Sequence, residues 1–183
     1  MQDNAIKAAS RREPVIVVMG VSGCGKSTIG RAVAERLGRP FLEGDEFHPE
    51  RNVALMRAGT ALTDADRWPW LDILGDALAG AGGWAVCSCS ALRRAYRDHL
   101  AARIGRPLLF LHAHADRDVL LARMQARPGH FMPASLLDSQ LATLEMPGED
   151  EWCLTLPADK PVEVLVARAI DFVTTAGARP EPR

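Results

Sequence analysis

The segment Gly20-Val21-Ser22-Gly23-Cys24-Gly25-Lys26-Ser27 has the spacing GxxxxGK[ST], and its fixed positions answer the needs of phosphate chemistry. Gly23 and Gly25 let the backbone pass through conformations closed to other residues, so that successive N–H groups converge on phosphate oxygens. Lys26 is expected to bring an ammonium to the outer phosphates, and the Ser27 hydroxyl to serve as a ligand of Mg²⁺. The bland alternative is a glycine-rich turn with a surface lysine, but four such positions coincide by chance in roughly one chain in a hundred of this length. The motif predicts a nucleoside triphosphate site and leaves open what the phosphate is for.

The elements around the motif are those it requires. Residues 15–19 form a short β-branched run of the kind found in a strand buried on both faces of a parallel sheet, and Gly20 ends it. Ile29, Val33 and Leu37 then share one helical face, closed by Gly38 and Pro40. Further strands are expected at 41–42, 84–89, 108–112 and 153–156. The stripes Leu71/Leu74/Leu78 and Val162/Val166/Ala169/Val173 mark helices between and after them. Strands alternating with helices predict a three-layer α/β domain over residues 14–176, with a mostly parallel sheet and right-handed crossovers. Residues 1–13 and 177–183 read as flexible tails. Two stretches break the alternation, 45–70 and 127–150, and long polar insertions of this kind are often binding segments or lids.

Several residues in these stretches could do chemistry. Asp45 follows the second strand, so it should stand at the carboxyl edge of the sheet beside the phosphate loop. It can hold the hydration shell of Mg²⁺ or accept a proton from an attacking hydroxyl. Arg51, Arg67 and Arg97 are cations suited to an anionic substrate, although each alone is an ordinary surface charge. Thr63-Asp64-Ala65-Asp66 reads as a helix cap, and Trp68-Pro69-Trp70 as a pocket wall or plain packing. Arg123 and Arg127 share a helix face ahead of Gly129-His130-Phe131, the pattern of a lid that closes over phosphates, or of cations at a helix C-terminus. His112 and His114 are read as structural rather than as a metal pair, and His99 as exposed.

The chain has 183 residues and a formal charge of -1, with 22 Lys plus Arg against 23 Asp plus Glu. That balance argues against a protein built to bind duplex nucleic acid or an anionic membrane. No apolar run reaches membrane-spanning length and no signal-peptide core precedes Pro14, so a cytoplasmic protein is expected. Cys24, Cys87, Cys89 and Cys153 lack zinc spacing and are read as reduced thiols.

Taken together, the phosphate loop, Glu43-Gly44-Asp45 with His48-Pro49, Leu62-Thr63-Asp64, Asp66-Arg67 with Pro69-Trp70-Leu71, Cys89-Ser90-Ala91-Leu92 with Tyr96-Arg97-Asp98, Arg127 with Gly129-His130-Phe131, Ser139-Gln140 and Leu144-Glu145 resemble the gluconokinase family. The resemblance implies a P-loop fold like that of shikimate and nucleoside-monophosphate kinases, a five-stranded parallel sheet of order 2-3-1-4-5. It implies transfer of the ATP γ-phosphoryl group to the 6-hydroxyl of D-gluconate by a cytoplasmic homodimer. Carried over by position, Gly20, Val21, Ser22, Gly23, Cys24, Gly25, Lys26, Ser27 and Thr28, with Arg123, would hold ATP, and Ser27 and Asp45 would hold Mg²⁺. Lys26, Asp45 and Arg127 would be catalytic. Asp45, His48, Arg51, Tyr96, Arg97, His130 and Gln140 would form the gluconate pocket. Pro128 departs from the small polar or basic residue expected in the lid, and residues 157–161 are placed near the adenine by position alone. Competing readings are a same-fold kinase for another small acid or a nucleoside monophosphate, and an ATP-dependent switch without an acceptor.

Overall fold

The computed structural model describes residues 14–82, 84–126 and 134–176. The elements run β1 (Val15–Met19), α1 (Lys26–Leu37), β2 (Phe41–Glu43), a 3₁₀ turn (Gly44–Phe47), α2 (Glu50–Arg57), α3 (Asp64–Gly80), β3 (Val86–Ser88), α4 (Arg94–Ile104), β4 (Leu108–His114), α5 (Arg117–Gln125), α6 (Ala134–Thr143), β5 (Cys153–Pro157) and α7 (Val162–Ala176). All strand pairs are parallel and the order is β2-β3-β1-β4-β5, as expected.

All five residues of β1 are buried because both faces of the sheet are covered. Ile16 and Val18 face one core with Ile29 and Val33 of α1 and Leu165 and Ala169 of α7. Val15, Val17 and Met19 face the other with Leu71, Leu74 and Leu78 of α3 and Leu100 of α4. In α7 the buried line is Leu165, Ala169, Val173 and Ala176, rotated from the stripe expected through Val162.

The 45–70 stretch is mostly helical rather than a loop: it holds the 3₁₀ turn, α2 and the first two turns of α3. Polar composition hid these helices, because α2 buries only Asn52. The cap at Thr63 is as expected. Its hydroxyl accepts the Asp66 N–H while the Asp66 carboxylate accepts the Thr63 N–H. Strand β3 is shorter than expected, with Trp84, Ala85 and Cys89 outside it. No helix among the described residues is long and apolar enough to cross a membrane.

Candidate active site

The phosphate loop leaves the central strand and enters α1, with Gly20, Gly23 and Gly25 at φ of 132°, 82° and 90°. These left-handed values strain any other residue, which is why the motif demands glycine. A side chain at Gly20 would also meet the Ala113 carbonyl at 2.6 Å, and one at Gly23 would meet Met124 of α5 at 3.0 Å. Lys26 opens α1 and donates through Nζ to the Val21 carbonyl at 3.0 Å. Cys24 is buried, Ser27 half-buried and Thr28 exposed.

Asp45 is positioned by two bonds to the residue before it. Gly44 donates its N–H to Ser88 Oγ at 3.0 Å and accepts the Trp70 indole N–H at 2.8 Å. The Ser88 hydroxyl in turn donates to Glu43. A Cβ at Gly44 would lie 2.0 Å from the Ser88 carbonyl, so only glycine lets β2 turn this close to β3. His48 stacks on Trp70 with ring centroids 4.1 Å apart, so Trp70 is both clamp and wall. The Asn52 amide donates to the Asp66 carbonyl at 2.7 Å and approaches His48 Nδ1 at 3.4 Å. Burial, more than the opposing pull of Asp45 and the push of Arg67, holds His48 down at about 4. His48 is therefore neutral near pH 7, and with Nδ1 accepting from Asn52 its proton sits on Nε2.

Ser22, Lys26, Asp45, His48, Thr60, Arg67, Ser90, Ser139 and Gln140 line one cleft of about 60 Å³ between the phosphate loop, α2, α3 and α6. Arg67 is only 8% exposed and has no carboxylate in salt-bridge range among the described residues; its guanidinium lies 5.8 Å over the Tyr96 ring. The sequence reading ranked Arg67 with two other cations, and its signal was the Asp-Arg pair just inside a capped helix. Gln140 reaches across from α6 to accept the Ser22 N–H at 2.7 Å. Arg123 donates to the Ala158 carbonyl at 2.7 Å, which brings α5 against the 157–161 loop.

Three expected pocket residues stand elsewhere. Arg51 points outward with 78% of its side chain exposed and pairs with Asp66 at 3.3 Å. Tyr96 is 1% exposed and donates to Asp64 at 2.5 Å, and burial together with that bond pushes its phenol up to about 12. Arg97 is 2% exposed and forks onto Glu151 at 2.6 and 3.0 Å, with further bonds to the Ala91 and Glu145 carbonyls. Both aromatic and guanidinium are spent on internal partners. The resemblance located them near the site without telling contact from support. Arg127 and His130 lie outside the described residues, as does Pro128. His99 is half-buried, not exposed, and pairs with Asp72 at 2.9 Å. His112 is buried beside His114, and no three metal-ligating side chains cluster among the described residues.

The fold is shared with shikimate kinase from Acinetobacter baumannii. That structure matches with a TM-score of 0.59 at 16% identity, over 94% of this chain and 99% of the other. Residues 15–147 match the family described as an AAA domain. By architecture and loop the chain has a P-loop kinase fold. A gluconokinase from Gluconobacter oxydans is 49% identical over 158 residues, 85% of this chain and 88% of that protein. The structure of a gluconokinase from Sinorhizobium meliloti matches with a TM-score of 0.83 at 45% identity, over 91% and 95% of the two chains. The chain belongs to the gluconokinase family.

Proposed function

We propose that the protein transfers the γ-phosphoryl group of ATP to the 6-hydroxyl of D-gluconate, giving 6-phosphogluconate and ADP. The observation that carries the reading is the shared cleft. A carboxylate able to take a hydroxyl proton, Asp45, and a buried cation without a carboxylate partner, Arg67, face the same space as the phosphate loop. A buried guanidinium left unpaired is costly, and a carboxylate-bearing acceptor would relieve that cost by fork-to-fork pairing. His48 would donate through Nε2–H to an acceptor hydroxyl, and Ser90, Ser139 and Gln140 supply further partners for a polyol.

In the step itself the acceptor oxygen forms a bond to phosphorus as the bond to the bridging oxygen of ADP breaks, and the hydroxyl proton passes to Asp45. Lys26 and the loop N–H groups meet the charge that develops on the phosphoryl oxygens. Ser27 and Asp45 are hard oxygen donors that fit Mg²⁺, which when bound neutralises phosphate charge. Thr28 and Arg123 belong to the nucleotide side, and Arg127 and His130 keep the lid and pocket roles that the resemblance gives them. The cytoplasmic homodimer rests on the resemblance and is checked by sedimentation.

The test is coupled ADP release with Mg-ATP and gluconate, shikimate, other aldonic acids and nucleoside monophosphates, against a control without acceptor. Gluconate-dependent release with a phosphorylated sugar acid as product supports the reading. Stimulation by another acceptor alone moves the substrate, and release independent of acceptor replaces the kinase by a switch.

A further inference from the structure

The amides of a phosphate loop serve phosphate oxygens, yet the Ser22 N–H is taken by the carboxamide oxygen of Gln140, 118 positions along the chain. Lys26 is likewise turned inward onto Val21. Two donors of the cradle are thus satisfied by the chain itself. The same helix closes the acceptor side, since Leu136 and Ser139 of α6 line the cleft beside Gln140. The cleft of about 60 Å³ is well short of the roughly 300 Å³ or more usual for a ligand pocket. Beyond α6 the chain is pinned: Glu145 donates its N–H to the Leu92 carbonyl at 2.7 Å, and its carboxylate accepts the Arg94 N–H at 2.7 Å.

We propose that Gln140 is a positioning residue whose carboxamide is latched onto the phosphate loop until a phosphate oxygen claims the Ser22 N–H, so that ATP releases that side chain to the acceptor cleft and binds before the acceptor. A phosphate oxygen and the Gln140 oxygen compete for one proton, and the phosphate, being charged, forms the stronger bond. Nucleotide affinity is reduced by the fraction of molecules that are latched. The helix stays seated by buried Leu137 and by Asp138 on Arg117, and releasing Gln140 leaves a carboxamide facing the cleft that can donate and accept. The acceptor half of this inference rests on the gluconate reading above, while the nucleotide half does not.

The experiment is calorimetric binding of the non-hydrolysable β,γ-imido analogue of ATP with Mg²⁺, and of gluconate with and without that analogue, to the full chain and three variants. A neutral hydrogen bond is worth a factor of about 2 to 10 in an equilibrium. Gln140→Ala is expected to bind the analogue more tightly by that factor, as is Gln140→Leu, which keeps most of the side-chain volume. Gln140→Glu, with a charged acceptor on the same N–H, should bind it at least about tenfold more weakly. Gluconate should bind the wild-type protein measurably only with the analogue, and the Ala variant with less dependence on it. Opposite signs for Ala and Glu are not what a mere packing role produces. Unchanged or weaker analogue binding by both Gln140→Ala and Gln140→Leu overturns the latch, as does gluconate binding equally well with and without the analogue. If no variant binds gluconate while Gln140→Ala and Gln140→Leu still tighten the analogue, the acceptor reading fails and the latch on the phosphate loop stands.

Discussion

Arg97 lies beneath the site and holds its floor. Its guanidinium bonds to both carboxylate oxygens of Glu151 and to the carbonyls of Ala91 and Glu145. Ala91 is fully buried and, among the described residues, is the non-glycine residue with positive φ, at 44°. Such a conformation persists only where its surroundings impose it. The preceding residue, Ser90, lines the cleft and accepts the Gly20 N–H at 3.3 Å. Replacing Arg97 by Met leaves the Glu151 carboxylate, whose side chain is 7% exposed, with only the Gly148 N–H at 2.9 Å and Arg94 at 3.6 Å among the described residues, which puts the loss at the low end of the cost of breaking a buried pair, about 3 kcal/mol. Each kcal/mol lowers Tm by about 2–4 °C in a chain of this size, so Arg97→Met should melt about 6–12 °C early. The double change Arg97→Met with Glu151→Leu should recover much of that loss, because no unpaired charge stays buried. Thermal melts at pH 7 and coupled ADP release below the melt measure both quantities. The gluconate KM of the folded variants should stay within about twofold of wild type, the signature of support rather than contact. An Arg97→Lys protein with the wild-type Tm and a gluconate KM raised tenfold would refute this reasoning and return Arg97 to the acceptor.

Four further outcomes follow from the same geometry. Lys26→Ala, whose ammonium bonds to the Val21 carbonyl, should lower kcat/KM by about 10²- to 10³-fold with the melt little changed; near-normal kinetics would remove the phosphate cradle from the chemistry. Asp45→Asn should lose about 10²- to 10⁴-fold in kcat while keeping its affinity for the imido analogue, and unchanged turnover would take Asp45 out of proton transfer. Trp70→Phe keeps the ring beneath His48 but leaves the Gly44 carbonyl without its donor, at a cost of about 1–3 kcal/mol; kcat should fall more than KM rises, and wild-type kcat would show that the clamp does not place Asp45. His48 and His112 are both held down at about 4, chiefly by burial, so the unfolded chain binds protons that the folded one refuses between pH 6.5 and 4. Stability is then full above pH 6.5 and falls with a limiting slope of about 2.7 kcal/mol per pH unit for two protons; urea melts across that window test it, and a flat profile would contradict it.

The layers of the fold were legible because their signals are local and redundant. A fully buried β1, a glycine-rich turn and an amphipathic α1 agree with one another, whereas the strand order was implied by the resemblance. Helix α2 was invisible because it packs by one polar side chain, Asn52, and carries no apolar stripe. In the site, Asp45 could be placed because its position follows from a strand end. Arg67, Tyr96 and Arg97 could not be sorted, because a cation in a motif looks the same whether its partner is a substrate or a glutamate 54 positions away. Burial and the presence or absence of a carboxylate separate them. The resemblance put Tyr96 and Arg97 in the acceptor pocket, and the structure has both on internal carboxylates.

The two halves of the site are held by different means, and this bears on how they work. The distance from the phosphate loop to Asp45 is set by sheet register, Glu43 beside Ser88 and Ser88 beside Val18. A strand cannot slip by one residue without turning every side chain to the other face. Gly44 is then tied at its N–H to β3 and at its carbonyl to α3, so Asp45 and Lys26 belong to one rigid frame that substrates need not assemble. Gln140, Ser139 and Leu136 come from α6, which is seated on the core by Leu137 and on α5 by the Asp138–Arg117 pair, while the Gln140 side chain meets the phosphate loop through a hydrogen bond to the Ser22 N–H. A bond of that kind contributes about 1 kcal/mol net, small enough for a bound phosphate to displace. The carboxylate and the ammonium thus sit on the rigid part, and the exchangeable contact is a side chain at the edge of the phosphate cradle, where a bound nucleotide can take its place.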